Sequence, residues 1–301
     1  MRVALYEAGG RLGEESAAWA AAGMVAPWSE AVDASPSIVA MGRRSLELWP
    51  EWLKELPVPV FYRDAGTVVV WHSGSVAGGF AAAAGFGAER VLGERLAELE
   101  PLVAGFGEGL YLPGEAQVDN REVLAALAFA LEEVGVSCHW HTRVEDGAMP
   151  EAGVVADCRG MGAKGTIEGL RGMRGEILRL HAPRVELRHM VRLLGESPVY
   201  VVPRAEGRLV VGATAYESED RSPASVSGVM RLMSAAVAVL PGLAEARVME
   251  MTTQVRPVMG DREPVVLVEG RVVRVNGLYR HGFLLSPAVV ERVLGALREQ
   301  G

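Results

Sequence analysis

The sequence predicts a mixed fold, α/β together with α+β: a discontinuous nucleotide-type domain with an antiparallel sheet inserted into it. Three observations carry this reading. The chain opens on an apolar run, Val3-Ala4-Leu5-Tyr6, that stops at Glu7 and is followed by Gly9-Gly10. A capped amphipathic helix near residue 120 is flanked by strand-like runs, the β–α–β rhythm of a parallel sheet. From Met173 onward, short strand-like segments succeed one another across turns, as in an antiparallel sheet.

Each element has a local reason. The opening run, apolar throughout, suits a strand buried on both faces. Residues 11–31 are rich in Gly, Ala and Ser without a clean period and read as a loop or short helix. Residues 37–56 form a helix, because Ile38, Met41, Leu46, Trp49 and Leu53 recur at helical spacing; Pro57 and Pro59 end it, and Pro50 is expected to kink or split it. Thr67–Trp71 is a strand after Gly66. The Ala- and Gly-rich stretch 77–88 reads as a small-residue helix and loop, and is a candidate contact of a homo-oligomer. At Asp119 a side-chain cap with Glu122 three residues on makes a capping box. Val123, Leu124, Leu127, Ala128 and Leu131 form the apolar face of that helix, and Gly135 closes it. Strands are expected at 136–141 and 153–158, then at 176–181, Val199–Pro203, Arg208–Gly212 and 247–255, with one helix over 225–240. Apolar runs at 265–268 and 272–275 precede a last helix over 287–298, with Val289, Val290, Val293, Leu294 and Leu297 on its buried side.

Composition narrows the function. The 301 residues are 50% hydrophobic, enough for a sizeable core. With 30 basic and 38 acidic side chains the net charge is −8, and no basic cluster occurs, which argues against nucleic acid. The stretch 17–28 is low in charge but too short to span a bilayer, and Glu7 interrupts any signal-peptide centre, so no membrane partner is expected. Cys138 and Cys158 lack a Cys-x-x-Cys pair and read as reduced packing residues of a cytoplasmic protein. His139 and His141 read as a structural pair on one strand face, and no metal site is expected.

Four places could carry chemistry, each with a plainer alternative. Glu7, ending a strand before two glycines, could accept hydrogen bonds from ribose hydroxyls, although such an acid is usually a solvated loop residue. The small side chains from Ser16 to Pro27 would let backbone N–H groups approach a ring or phosphate, or would simply pack helices together. Arg256 and Arg280, both at strand ends, could hold a carboxylate with their planar forks; alone, each is better explained as a structural ion pair. Tyr200 could add its hydroxyl, or could be a strand aromatic with a wet tip.

In order along the chain, residues 17–27, 199–214, 239–243 and 279–287 resemble the glycine oxidase branch of the D-amino-acid oxidase family, the flavoenzymes of thiamine biosynthesis. The segments Gly-Arg-Leu-Val-Val-Gly-Ala-Thr and Tyr-Arg-His-Gly-Phe-Leu-Leu-Ser-Pro are the most specific. The resemblance implies a Rossmann-like FAD domain made of 1–40, 115–165 and 255–301, with a substrate domain made of 41–114 and 166–254. It implies Glu7 as ribose ligand, Ser16 and Ala17 near the pyrophosphate, and Ala22, Gly23 and Met24 at the flavin ring. Val144 would contact adenine through its backbone. Leu278, Tyr279, Arg280, His281, Gly282, Phe283 and Leu284 would form the loop crossing the isoalloxazine edge. Arg256, Arg280 and Tyr200 would hold the substrate carboxylate.

The activity implied is oxidative deamination of glycine or a small D- or N-methyl amino acid. Hydride passes from Cα to flavin N5, the imine gives oxo acid and ammonia, and dioxygen gives hydrogen peroxide. No side-chain acid or base is assigned, because the task is orientation. The alternatives are a dehydrogenase with a non-oxygen acceptor, or an inactive, non-enzymatic remnant.

The chain departs from the family in three places. His281 replaces the usual Asn, Cys158-Arg159-Gly160-Met161-Gly162 replaces a small Ala-Gly pair, and no Gly-x-Gly-x-x-Gly element precedes Val3. The expectation is therefore that Met1 is internal, that the polypeptide starts on the order of 30 residues upstream, and that this chain alone holds little FAD. Two strands that should flank the first strand would then carry unpaired edges.

Overall fold

The computed structural model describes residues 2–72 and 87–298. Residues 77–86 of the Ala- and Gly-rich stretch, and with them the oligomer contact suggested for it, lie outside the described residues.

The elements run as follows: β1 (Ala4–Tyr6), α1 (Ala17–Ala20), β2 (Met24–Val25), α2 (Pro27–Glu30), α3 (Pro36–Lys54), β3 (Tyr62–Arg63), β4 (Thr67–Trp71), β5 (Glu89–Leu92), α4 (Gly93–Leu99), β6 (Glu108–Leu112), β7 (Ala116–Val118), α5 (Asn120–Glu133), β8 (Ser137–His139), β9 (Val155–Asp157), β10 (Arg171–His181), β11 (Met190–Leu194), β12 (Val199–Pro203), β13 (Arg208–Gly212), α6 (Val226–Val239), β14 (Arg247–Val258), β15 (Val265–Glu269), β16 (Val272–Asn276) and α7 (Gly282–Arg298).

The centre is an eight-stranded sheet in the order β14-β10-β13-β12-β11-β4-β6-β5. Its central strands are buried on both faces, whereas the edge strand β5 and the first half of β14 are largely exposed, and the period of two separates the two layers. Leu178, Val201 and Val211 pack under α6 with Leu232, Ala236 and Val239. Their neighbours Ile177, Val202 and Val210 face the other way and meet Ala20, Ala22 and Ala26 of the N-terminal segment. A second core joins α3 to α7 through Ile38, Trp49, Leu284, Leu285 and Val289, with Val273 of the small sheet β15-β16-β9 beneath. α3 runs through residue 40 and β14 through residue 255, so both are continuous where the division implied by the resemblance would cut.

Several expectations are corrected. The large sheet is mixed, since β11 pairs parallel with β4 while its other neighbours are antiparallel. β11 itself was not anticipated, and its Arg192 breaks an otherwise apolar run. β1 is not buried on both faces. Among the described residues it pairs with β8 alone, in parallel, and Val3 and Tyr6 are exposed. β9 pairs with β16 alone, so among the described residues the sheets containing β1 and β9 do not join. Pro50 does not split α3; the helix runs on through it to Lys54, and burial of Ile38, Leu48 and Trp49 in the turns before it outweighs the one lost N–H bond.

The capping box is half formed. Asp119 accepts from the amides of Arg121 and Glu122, but Glu122 accepts from Phe61 N at 2.7 Å and thereby ties β3 to the helix. Leu127 on that helix is exposed among the described residues. α7 begins five residues before Pro287, and its buried stripe is Leu284, Leu285, Ala288, Val289 and Val293, while Val290 and Leu294 are exposed. His141 leaves the strand in a left-handed turn (φ 53°), so it does not share a face with His139, which stacks on Tyr6. Both cysteines are free, and Cys158 is exposed rather than packed.

Candidate functional site

The face of the large sheet that receives the N-terminal segment carries an arginine, a tyrosine and two glycines that make room for them. Tyr200 stands opposite Gly212 on the neighbouring strand, and a Cβ at Gly212 would overlap the phenol ring. Arg256, near the end of β14, lays its guanidinium over Gly175 of β10, where a Cβ would likewise overlap it. Two glycines inside strands, costly in themselves, thus admit two large polar side chains against the sheet. Arg256 donates from Nη1 to Thr214 O at 3.1 Å, and no carboxylate lies within 4 Å of it among the described residues. Burial pulls its pKa down, with Tyr200 and Tyr279 opposing and Arg280 assisting. Burial pushes the Tyr200 phenol up, and the nearby Arg256 pulls it back.

The second predicted arginine is already engaged. Arg280 makes a hydrogen-bonded ion pair with Glu30, Nη2 to Oε2 at 2.6 Å, and reaches Asp33 at 3.3 Å. Glu30 also takes His281 Nε2 at 2.9 Å and Arg192 Nη1 at 3.2 Å. Burial by itself would raise the Glu30 carboxyl, but Arg280, Arg192 and His281 hold it well below the usual range. Arg192 is the cross-strand partner of Tyr200 and donates to Ser29 O at 2.8 Å, which joins this cluster to the sheet. Beneath Ser29 lies Glu115, fully buried, accepting from the Ser29 amide and hydroxyl and from Thr67 Oγ1. Burial lifts its carboxyl to about 7 in spite of those bonds.

The N-terminal segment is held from below. Gly23 adopts φ 63° and a Cβ there would overlap Val118 O, so only glycine lets this backbone lie against β7. Arg204, 5% exposed, donates to Ala22 O and Gln117 Oε1 and lies 3.4 Å from Asp119. Asn120 Nδ2 donates to the carbonyls of Ala18 and Trp19, both at 2.8 Å. Ala22 and Met24 thereby reach the same apolar cluster as Tyr200 and Ala213.

The remaining predicted residues divide. Glu7 lies just beyond the end of β1, with Oε1 accepting from Gly9 N at 2.8 Å. Ser16 caps α1, accepting from Trp19 N and donating to Gly13 O, and Ala17 is the first residue of that helix. The Val144 carbonyl is taken by Arg159 at 2.8 Å, and Arg159 also binds Asp146 and Asp157. Residues 278–284 are not a loop throughout. Leu278 bridges Val258, Tyr279 turns with φ 51° and donates its amide to Pro257 O, and Gly282, Phe283 and Leu284 already form the first turn of α7.

The structure thus brings Tyr200, Arg256, Arg280, Ala22 and Met24 to one region, and places Glu7, Ser16 and Val144 along the N-terminal and β8–β9 side. Glu30, Asp33, Arg192, Arg204, Gly175 and Gly212 were missed. Only Arg192, a charge inside an apolar strand, carried a signal. No group of His, Cys, Asp and Glu among the described residues is placed to hold a metal, and no helix among them is long and apolar enough to cross a membrane.

Comparison with known proteins shows the family of the chain. The FAD dependent oxidoreductase family matches residues 1–293. A putative thiamine biosynthesis oxidoreductase of Rhizobium etli is 39% identical over 310 aligned residues, covering 100% of this chain and 90% of its own. A glycine oxidase of Geobacillus kaustophilus is 30% identical over 219 residues, 65% of this chain and 57% of its own. The crystal structure of a glycine oxidase from that organism superposes with a TM-score of 0.88 at 26% identity, covering 100% of this chain and 89% of that one. The chain belongs to the FAD dependent oxidoreductase family, in its glycine oxidase and thiamine biosynthesis branch.

Proposed function

We propose that the chain oxidises glycine or another small amino acid at its Cα–N bond, with the carboxylate anchored by Arg256 and Tyr200. The observation that carries this is Arg256. A partly buried guanidinium with a lone carbonyl as its hydrogen-bonded partner is costly unless an anion joins it, and a carboxylate is the anion that fits its fork.

FAD, the family's cofactor, fits what is present at two ends. Glu7 offers an acceptor carboxylate at the C-terminal end of a parallel strand, the position that suits ribose hydroxyls. The first-turn N–H groups of Gly282, Phe283 and Leu284 have no carbonyl of their own helix to bind, and they offer donors to a polar ring edge. Ala22, Gly23 and Met24 would lie against the ring, Ser16 and Ala17 toward the pyrophosphate, Val144 toward adenine, and residues 278–281 across the ring's edge. Bound there, the flavin would supply a two-electron acceptor.

The protein's own part is orientation. Arg256 and the Tyr200 hydroxyl fix the carboxylate against the sheet, and Gly175 and Gly212 keep both side chains low enough to leave room above them. Ala20, Ala22 and Ala26 pack against Ile177, Val202 and Val210 on the same face of the sheet and surround the Tyr200 ring with apolar neighbours. No carboxylate or imidazole is assigned to take a proton from Cα, because in this reading the Cα hydrogen would leave with its bonding electron pair, as hydride, toward the flavin.

The test is a screen of glycine, sarcosine and small D-amino acids on FAD-loaded protein, following both hydrogen peroxide and reduction of an artificial dye. Turnover with peroxide supports an oxidase; turnover with dye alone favours a dehydrogenase. No turnover and no amino-acid binding by a flavin-loaded protein overturns the reading.

A further inference from the structure

The charges around the candidate site do not match one another one to one. Three guanidinium groups, Arg192, Arg256 and Arg280, share this region with two carboxylates, Glu30 and Asp33. Glu30 sits between Arg280 and Arg192, one oxygen toward each, and its Oε2 also takes His281. Asp33 closes on Arg280 from outside. The positive charge left over resides on Arg256, which has a backbone carbonyl and no acid. On its outer side Arg280 lines a small cleft of about 40 Å³ together with Asp33, Asp261, Arg262 and His281, so an incoming anion there meets two acids as well as the two guanidinium groups.

This arrangement bears on specificity, and the inference rests on the amino-acid oxidase reading above. We propose that Glu30, assisted by Asp33, restricts the site to amino acids with a single carboxylate, by taking up the charge of Arg280 and leaving Arg256 as the anion anchor. An amino acid with a second carboxylate would have to displace Glu30 from Arg280 or leave its own charge unpaired beside Asp33. Either is costly in a partly buried site, whereas a second apolar group meets no such barrier. Glu30 is a specificity-determining residue in this account; it need not touch the reacting atoms.

Sarcosine and iminodiacetate test this directly, because they share the N-substituted glycine skeleton and differ by one carboxylate. The ratio of kcat/KM for iminodiacetate over sarcosine is measured on FAD-loaded protein by dye reduction. In parallel, methoxyacetate and oxydiacetate, which lack the oxidisable amine, are titrated for their effect on melting temperature. The unaltered protein is expected to favour the monoacid in both assays. Glu30→Gln, which frees Arg280, should raise the diacid-to-monoacid ratio about tenfold or more. Asp33→Asn, at an exposed position, should shift it less in the same direction, and adding Arg280→Met to Glu30→Gln should abolish the gain.

An unmoved ratio in folded Glu30→Gln, with sarcosine still oxidised, overturns the proposal and leaves the oxidase reading standing. Should Glu30→Gln fail to fold, an unmoved ratio in Asp33→Asn overturns it alone. If the unaltered, flavin-loaded protein neither oxidises nor binds any of the monoacids, the oxidase reading fails and the specificity inference falls with it.

Discussion

Arg256 and Arg280 are chemically identical and environmentally opposite. Arg280 is held by two carboxylates, Glu30 and Asp33, whereas Arg256 has a carbonyl and is destabilised by burial. The difference decides which of them an incoming carboxylate can use without breaking an existing ion pair. Arg256→Ala should therefore raise KM for glycine-type substrates by roughly 100-fold, the range for loss of one partner of a buried charged pair. It should also lower kcat, because the substrate is no longer held in one orientation. Arg256→Lys should recover only part of KM, since an ammonium cannot reproduce the planar fork. Steady-state kinetics on both variants checks this, and normal glycine kinetics in Arg256→Ala would remove Arg256 from the site.

At the scale of elements, the short segment from α1 to α2 is shaped by its neighbours more than by its own propensity. Gly23→Ala should cost roughly 1–3 kcal/mol in strain at φ 63°, plus displacement of β7 at Val118, and should be seen as a lowered melting temperature. Glu115 under α2 adds a pH dependence. Its carboxyl is raised to about 7 in the fold from an ordinary 4.5. Below the unfolded value both states are protonated and the contribution is whole. As pH rises from the unfolded value toward about 7 the unfolded chain releases this proton while the fold keeps it, so stability of up to ~3 kcal/mol is lost, and the loss is complete once the buried group ionises above about 7. Glu115→Gln should therefore flatten the fall in melting temperature between about pH 4.5 and 7; an equally steep fall in the variant would show that another group is responsible.

For the whole molecule, the large sheet is the joint between its two surroundings, α6 on one face and the N-terminal segment on the other. Leu178, fully buried beneath α6, is a fair probe of that layer. Leu178→Ala should cost about 2–5 kcal/mol in urea unfolding. Because the α6 face is remote from Arg256 and Tyr200, substrate KM should stay near the unaltered value in protein that remains folded.

What could be read along the chain was what depends on neighbours in sequence. Strands Thr67–Trp71, Val199–Pro203 and Arg208–Gly212 match the expectation to the residue, since runs of β-branched residues between turn formers carry their own signal. The Asp119 cap and the Gly135 stop did so as well. The site was legible in part, because residue types at strand ends, Arg256, Arg280 and Tyr200, suggested a carboxylate. Sequence was silent on which arginine is spoken for. Glu30 and Arg280 are 250 positions apart, Glu115 and Ser29 are 86 apart, and nothing local announces either pairing. Charge balance and burial are sums over residues the fold brings together, so the local pattern could nominate the arginines, while only the assembled sheet and the segment laid across it left Arg256 without a carboxylate.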